Sequence, residues 1–200
     1  TKMIEEKTLL VIDDRVEYLD AARAAYESIK DTFEYKITFC GSFDLGIEEV
    51  RSGKYTHVLT DLFEGEETPK GLLVLIAAKE KGLEARIVTD GNRHRGNLGS
   101  IRYALWEDER LSYNSMARGP ASEGRAILGK MGLKAEEVAE KIGPREFECY
   151  LIGTSLRGED ADGGHSKSTE SDWKEIYRTF EEHVKPIAPG TIIPGVSMYL

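Results

Sequence analysis

The chain is poor in cysteine. Its two cysteines, Cys40 and Cys149, cannot build a disulfide framework, so a reduced, cytoplasmic setting is the default expectation. Long apolar runs are also missing: no window approaches the roughly 18 residues a membrane span needs. The stretch Thr1-Lys2-Met3-Ile4-Glu5-Glu6-Lys7 lacks the apolar core of a secretory leader. Positive charge is the scarcer sign, with 27 Lys and Arg against 36 Asp and Glu for a net charge of −9. That balance argues against a nucleic-acid-binding surface, which needs a basic footprint. The 4 histidines, taken with the cysteines, show no zinc-ligand spacing. What is present, 40% hydrophobic and 32% charged side chains over 200 residues, describes a soluble globular chain able to bury a core without staples. We expect a single domain over 1–200.

The first half alternates strand-like and helix-like segments. Leu9-Leu10-Val11-Ile12 is a continuous apolar run, as in a strand covered on both faces. Leu19, Ala22, Tyr26 and Ile29 recur at helical spacing after it. Tyr35 to Phe39 reads as a second strand, and Ser42 stands as N-cap of a helix ending near Gly53. His57-Val58-Leu59-Thr60 gives a third strand, Gly71 to Lys81 an apolar helix stopped by Gly82, and Ala85 to Thr89 a fourth strand. Strands alternating with helices in this way predict an α/β fold with a doubly wound parallel sheet.

The second half is less regular. Asn97 to Glu107 and Lys134 to Ile142 are helix candidates, within and beside an irregular insertion at about 108–146. Phe147 to Ile152 is the best candidate for a fifth strand. Gly158 to Ser171 reads as a polar loop, and Trp173, Ile176, Tyr177, Phe180 and Val184 form the stripe of a last helix. The tail, about 185–200, contains Pro186, Pro189 and Pro194 and cannot be a regular helix. Its apolar residues could seal the core or make a homodimer contact.

In an open α/β sheet, ligands bind at the carboxyl ends of the strands. Asp13 and Asp14 follow the first strand, Asp61 the third, and Thr89 ends the fourth. A doubly wound strand order brings these four side chains together. Carboxylates about 5 Å apart repel by roughly 3 kcal/mol per pair at an effective dielectric near 20, so such a cluster calls for a cation or a proton. Oxygen-only ligands suit magnesium better than zinc. The competing reading makes Asp13 and Asp14 helix caps and Asp61 a turn residue.

Leu10-Val11-Ile12-Asp13-Asp14-Arg15 resembles the opening of response-regulator receiver domains. Val58-Leu59-Thr60-Asp61-Leu62, with Pro69 and Gly71-Leu72 downstream, resembles their phospho-acceptor strand, and Ile87-Val88-Thr89 the strand ending in their switch hydroxyl. The resemblance covers about residues 7–107, and more weakly 147–152 and 172–184. It implies a flavodoxin-like, five-stranded receiver-like fold. Asp61 would accept a phosphoryl group from a histidine kinase or a small donor, Asp13, Asp14 and Asp61 would hold magnesium, and Thr89 would turn toward the phosphoryl oxygens.

The chain departs from that family in several places. No lysine follows Tyr150-Leu151-Ile152, where Gly153-Thr154-Ser155 stands instead. Arg93, in the polar run Arg93-His94-Arg95 beyond the fourth strand, is the candidate to make the phosphoryl contact in its place. The loop after Asp61 is acidic, with Glu64, Glu66 and Glu67, and Asp90 follows Thr89. Three other motifs fail. Asp13-Asp14-Arg15 lacks the second acid of a haloacid-dehalogenase-type phosphatase. Glu159 and Asp160 occupy the Lys and Ser/Thr places of a phosphate loop after Gly153. The Asp160-Ala161-Asp162-Gly163 run has Gly158 and Thr169 where a calcium loop needs acids.

The expected function is a stand-alone receiver-like signalling module, cytoplasmic, acting on a protein partner by resemblance near its fourth helix and fifth strand. At most it would catalyse its own phosphorylation and dephosphorylation on an aspartate. The alternative is a degenerate, phosphorylation-independent interaction module on the same scaffold.

Overall fold

A computed structural model describes residues 6–106, 118–143, 147 and 166–181, with the backbone alone at 91–96, 106, 118 and 120. Four parallel strands, β1 (Lys7–Ile12), β2 (Tyr35–Cys40), β3 (His57–Thr60) and β4 (Glu84–Ile87), lie in the order β2-β1-β3-β4. Seven helices are present among the described residues: α1 (Val16–Ile29), α2 (Phe43–Arg51), α3 (Gly71–Lys81), α4 (Gly91–Trp106), α5 (Arg118–Gly129), α6 (Ala135–Ile142) and α7 (Glu170–Thr179). The fold is α/β with a parallel sheet, as the alternating pattern predicts.

The central strand shows why. Leu9, Leu10, Val11 and Ile12 are all buried, but alternate residues serve different cores. Leu9 and Val11 join Leu19, Ala22 and Ala25 of α1 and Trp173, Ile176 and Tyr177 of α7 on one face. Leu10 and Ile12 join apolar residues of α2 to α6 on the other, among them Phe43, Leu75, Ile101, Leu128 and Val138. A strand with an aqueous face would need a polar residue at every second position, and β1 has none between Leu9 and Ile12. Helix α3 stops where Gly82 takes a left-handed φ of 69° and its N–H caps the carbonyls of Ala78 and Lys79.

Gly71 seats α3 under the end of β3. A Cβ at this position would lie 2.1 Å from the Asp61 carbonyl oxygen and 2.7 Å from Leu62 Cα, so only glycine allows the approach.

The structure corrects the expected boundaries in the second half. The insertion is not irregular throughout: residues 118–129 form α5 against α4. Its inner face is made of Ala121, Gly124, Ile127 and Leu128, and a Cβ on Gly124 would fall 2.0 Å from the Ser100 carbonyl oxygen. Small residues carry this helix contact, so a search for large apolar residues at helical spacing misses it. Arg93-His94-Arg95 is not in a loop but in the first turns of α4, whose buried residues Leu98, Ile101 and Leu105 all lie further along. Phe147 is buried in a helical turn, its N–H bonded to the Gly143 carbonyl at 2.9 Å, rather than opening a strand. The rest of the expected fifth strand (148–152), the remainder of the insertion (108–117 and 144–146), the loop over 158–165 and the tail over 185–200 lie outside the described residues.

Candidate functional site

The strand ladder continues one residue past each strand end. The Asp13 N–H bonds the Cys40 carbonyl at 3.1 Å, the Asp61 N–H bonds that of Ile12 at 2.8 Å, and the Val88 N–H bonds that of Thr60 at 2.8 Å. These bonds line up the residues after β1, β3 and β4 at the carboxyl edge of the sheet. One carboxylate oxygen from each of Asp13, Asp14 and Asp61 lies within 4.8 Å of the others. Asp13 is 1% and Asp61 4% exposed, while Asp14 is partly open to solvent. Thr89, one residue past Val88, is fully buried, and its Oγ1 has no hydrogen-bond partner among the described residues. A buried hydroxyl without a partner costs free energy.

The sequence reading did not foresee Lys167. Its Nζ donates to Asp13 Oδ2 at 2.6 Å and to the Val88 carbonyl at 3.2 Å, and lies 3.0 Å from Asp61 Oδ2. An ammonium has three N–H donors, and these acceptors use them all. Lys167 is 1% exposed. Lys167 thus lies against Asp61, while Arg93, the sequence candidate for a phosphoryl contact, has its side chain outside the described residues.

Helix α7 holds this lysine. Thr169 and Asp172 form a capping box, each side chain accepting from the other's backbone N–H, which fixes where the chain enters α7. Trp173, 2% exposed, donates its indole N–H to the Lys167 carbonyl at 2.8 Å. The signal was present in the sequence: Thr-x-x-Asp ahead of an apolar stripe marks a helix start, and Lys167 stands two residues before it. The polar composition of 158–171 hid it.

Electrostatics set the protonation states. Burial works against the Lys167 ammonium, but Asp61 and Asp13 outweigh it and raise its pKa above the ordinary lysine value. Burial pushes the Asp13 carboxyl up to about 6, against the pull of Lys167 and with the push of Asp61. Three carboxylates and one ammonium leave two negative charges when all are ionised, the charge of one divalent cation. The donor set is oxygen only, partly open at Asp14, which suits magnesium.

Backbone amides from the loop after β3 orient the acids. The Leu62 N–H donates to Asp61 Oδ1 at 2.7 Å and the Gly65 N–H to Asp14 Oδ2 at 2.9 Å. Lys70 ties the same loop down, pairing with Glu64 at 2.6 Å and with Asp44 at 3.1 Å. The acidic residues of this loop are therefore partly neutralised rather than presented to a ligand.

The remaining candidates are structural. His57 is half-buried, its Nδ1 2.8 Å from Thr56 Oγ1, and its ring packs edge-on to Tyr35 and Phe180. Cys40 is a free thiol at the edge of the core, bonded to the Ser42 carbonyl. Cys149 lies outside the described residues. No helix among the described residues is long and apolar enough to cross a membrane. No protein-family model, curated protein or solved structure matches the chain.

Proposed function

We propose that the chain is a receiver-like signalling module that accepts a phosphoryl group on Asp61. The observation that carries this reading is the buried ammonium of Lys167 bridging Asp13 and Asp61 beside a third carboxylate. A buried acid that only stabilised the fold would be served by the lysine alone, leaving no reason for two further carboxylates within 4.8 Å.

In the acceptor step an Asp61 oxygen attacks phosphorus in a phosphohistidine or an acyl phosphate. A P–O bond to Asp61 forms, the bond to the leaving group breaks, and that group departs with the electron pair. Asp13, Asp14 and Asp61 would hold magnesium, which when bound offsets charge on the phosphoryl oxygens. Lys167 already lies against Asp61 and needs little movement to donate to a phosphoryl oxygen. The Thr89 hydroxyl, buried and without a partner among the described residues, would offer a donor to the same group. The phosphoryl group carries roughly −1.5 to −2 charge in place of the −1 of the carboxylate. The output is a change in binding to a protein partner. The α4 surface is already packed by α5, so a partner meets the α5–α6 pair rather than bare α4.

Magnesium with acetyl phosphate or beryllofluoride tests the reading. Thermal stability should rise and the emission of Trp173, which touches Lys167, should shift; Asp61→Asn should show neither. Equal responses from wild type and Asp61→Asn would defeat the proposal. No response from either would leave the phosphorylation-independent interaction module.

A further inference from the structure

We infer that Tyr18 is a positioning residue for Lys167 and ties it to the segment that carries Thr89; the inference rests on the acceptor reading of this site. Tyr18 lies in the first turn of α1 and is 7% exposed. Lys167 Nζ sits 4.8 Å from the centroid of its ring. Its hydroxyl donates to Asp90 Oδ2 at 3.3 Å. Asp90 directly follows Thr89, so one side chain touches both the cation and the hydroxyl-bearing segment of the site.

The chemistry gives the ring a job the carboxylates cannot do. Lys167 reaches the site on a flexible four-carbon stem, and its three donors are spent on Asp13, Asp61 and Val88. When Asp61 becomes a phosphoaspartate, the ammonium must re-aim from a carboxylate oxygen to a phosphoryl oxygen. Those directional bonds then change, while attraction to a ring face does not depend on where the donors point. The ring keeps Nζ over the site through the exchange. The hydroxyl bond to Asp90 links the position of α1 to that of Thr89, so the two groups that meet the phosphoryl oxygens keep a fixed spacing. Arg15 also lies against this ring, its Cζ 4.8 Å from the centroid, which limits how far the ring can turn. Packing alone would be met by leucine or phenylalanine at this position, and neither reaches Asp90.

The test uses Tyr18→Phe and Tyr18→Leu in the full chain, with the lysine side chains labelled with nitrogen-15. In metal-free wild type, the Lys167 ammonium signal should be displaced upfield by the ring current and protected from exchange. Tyr18→Phe should keep that displacement, since the ring remains, and Tyr18→Leu should lose it. Affinity for beryllofluoride with magnesium should fall by roughly tenfold in Tyr18→Leu, a loss in keeping with a desolvated cation–π contact, and by less in Tyr18→Phe. An undisplaced ammonium signal in wild type would overturn the inference without any variant. So would a Tyr18→Leu protein that binds beryllofluoride as wild type does. If wild type itself fails to bind beryllofluoride, the acceptor reading falls, while the ammonium signal still decides whether Tyr18 holds Lys167.

Discussion

Replacing Lys167 by methionine removes one charge from the most buried part of the site while keeping an unbranched stem of similar bulk. Asp13 and Asp61 then face one another without a cation, and the Val88 carbonyl loses its side-chain donor. Removing one member of a buried ion pair costs about 3–5 kcal/mol, and a domain of roughly 200 residues loses about 2–4 °C of Tm per kcal/mol, so the melting point should drop by about 6–20 °C. The loss depends on pH in a definite direction. Without the ammonium, burial and the neighbouring carboxylate raise one carboxyl pKa in the folded protein further above its unfolded value. The folded state then holds the extra proton, so stability falls as pH rises from the ordinary aspartate range through the raised value. Asp13 starts from about 6 even with the lysine present. The deficit of Lys167→Met should therefore be small near pH 5 and complete by pH 8. Saturating magnesium should recover part of it at pH 8, since a ligand present at about 100 times its Kd adds about 2.7 kcal/mol. Thermal melts of wild type and variant at the two pH values, with and without magnesium, read all of this. A variant as stable as wild type at pH 8, or one equally destabilised at both pH values, would refute the assignment of Lys167 as the buried counter-ion.

Two further predictions concern the scaffold. Gly124→Ala pushes a methyl into the Ser100 carbonyl and should destabilise by about 1–3 kcal/mol in urea unfolding, whereas Gly129→Ala, which meets nothing within 4 Å, should be neutral or stabilising; equal effects would contradict the α4–α5 packing. Burial lowers the His57 pKa despite Glu181 and Glu84 nearby, so the fold favours neutral imidazole. Its stability contribution is present above the ordinary histidine value and is lost as pH falls through the lowered one. An NMR titration should place His57 below 6.5, and a midpoint above it would refute the reading.

The legible parts of this chain are those whose burial leaves a one-dimensional trace. β1 reads directly because both its faces are covered, and α3 because its apolar run ends on a left-handed glycine. The convergence of Asp13, Asp14 and Asp61 follows from strand order, since consecutive βα units place their strand ends on one edge. Lys167 was hidden for the opposite reason. It lies 154 residues from Asp13, in a polar stretch whose composition does not separate a buried lysine from a solvated one, and only the capping-box spacing that follows marks its place. Helix α5 was hidden because glycine and alanine carry its contact. The first turns of α4 contain no apolar residue to mark their period.

The three acids could hold a divalent cation beside Lys167 rather than in its place. The ammonium pairs with Asp13 and Asp61, the two nearly inaccessible acids, and not with Asp14. Asp14 instead accepts the Gly65 N–H and remains partly open to water. The lysine thus neutralises the floor of the cluster, and the uncompensated charge lies toward solvent, where a hydrated cation can enter. Magnesium gives up its water reluctantly and favours a site that leaves several waters in place, which a partly open rim of carboxylates provides and a closed cage does not. Gly65 has a left-handed φ of 64°, which turns its N–H onto Asp14 and orients the one acid that water can reach. Lys167 thus offsets part of the charge of the three clustered acids, and Asp14 is the one of them that solvent reaches.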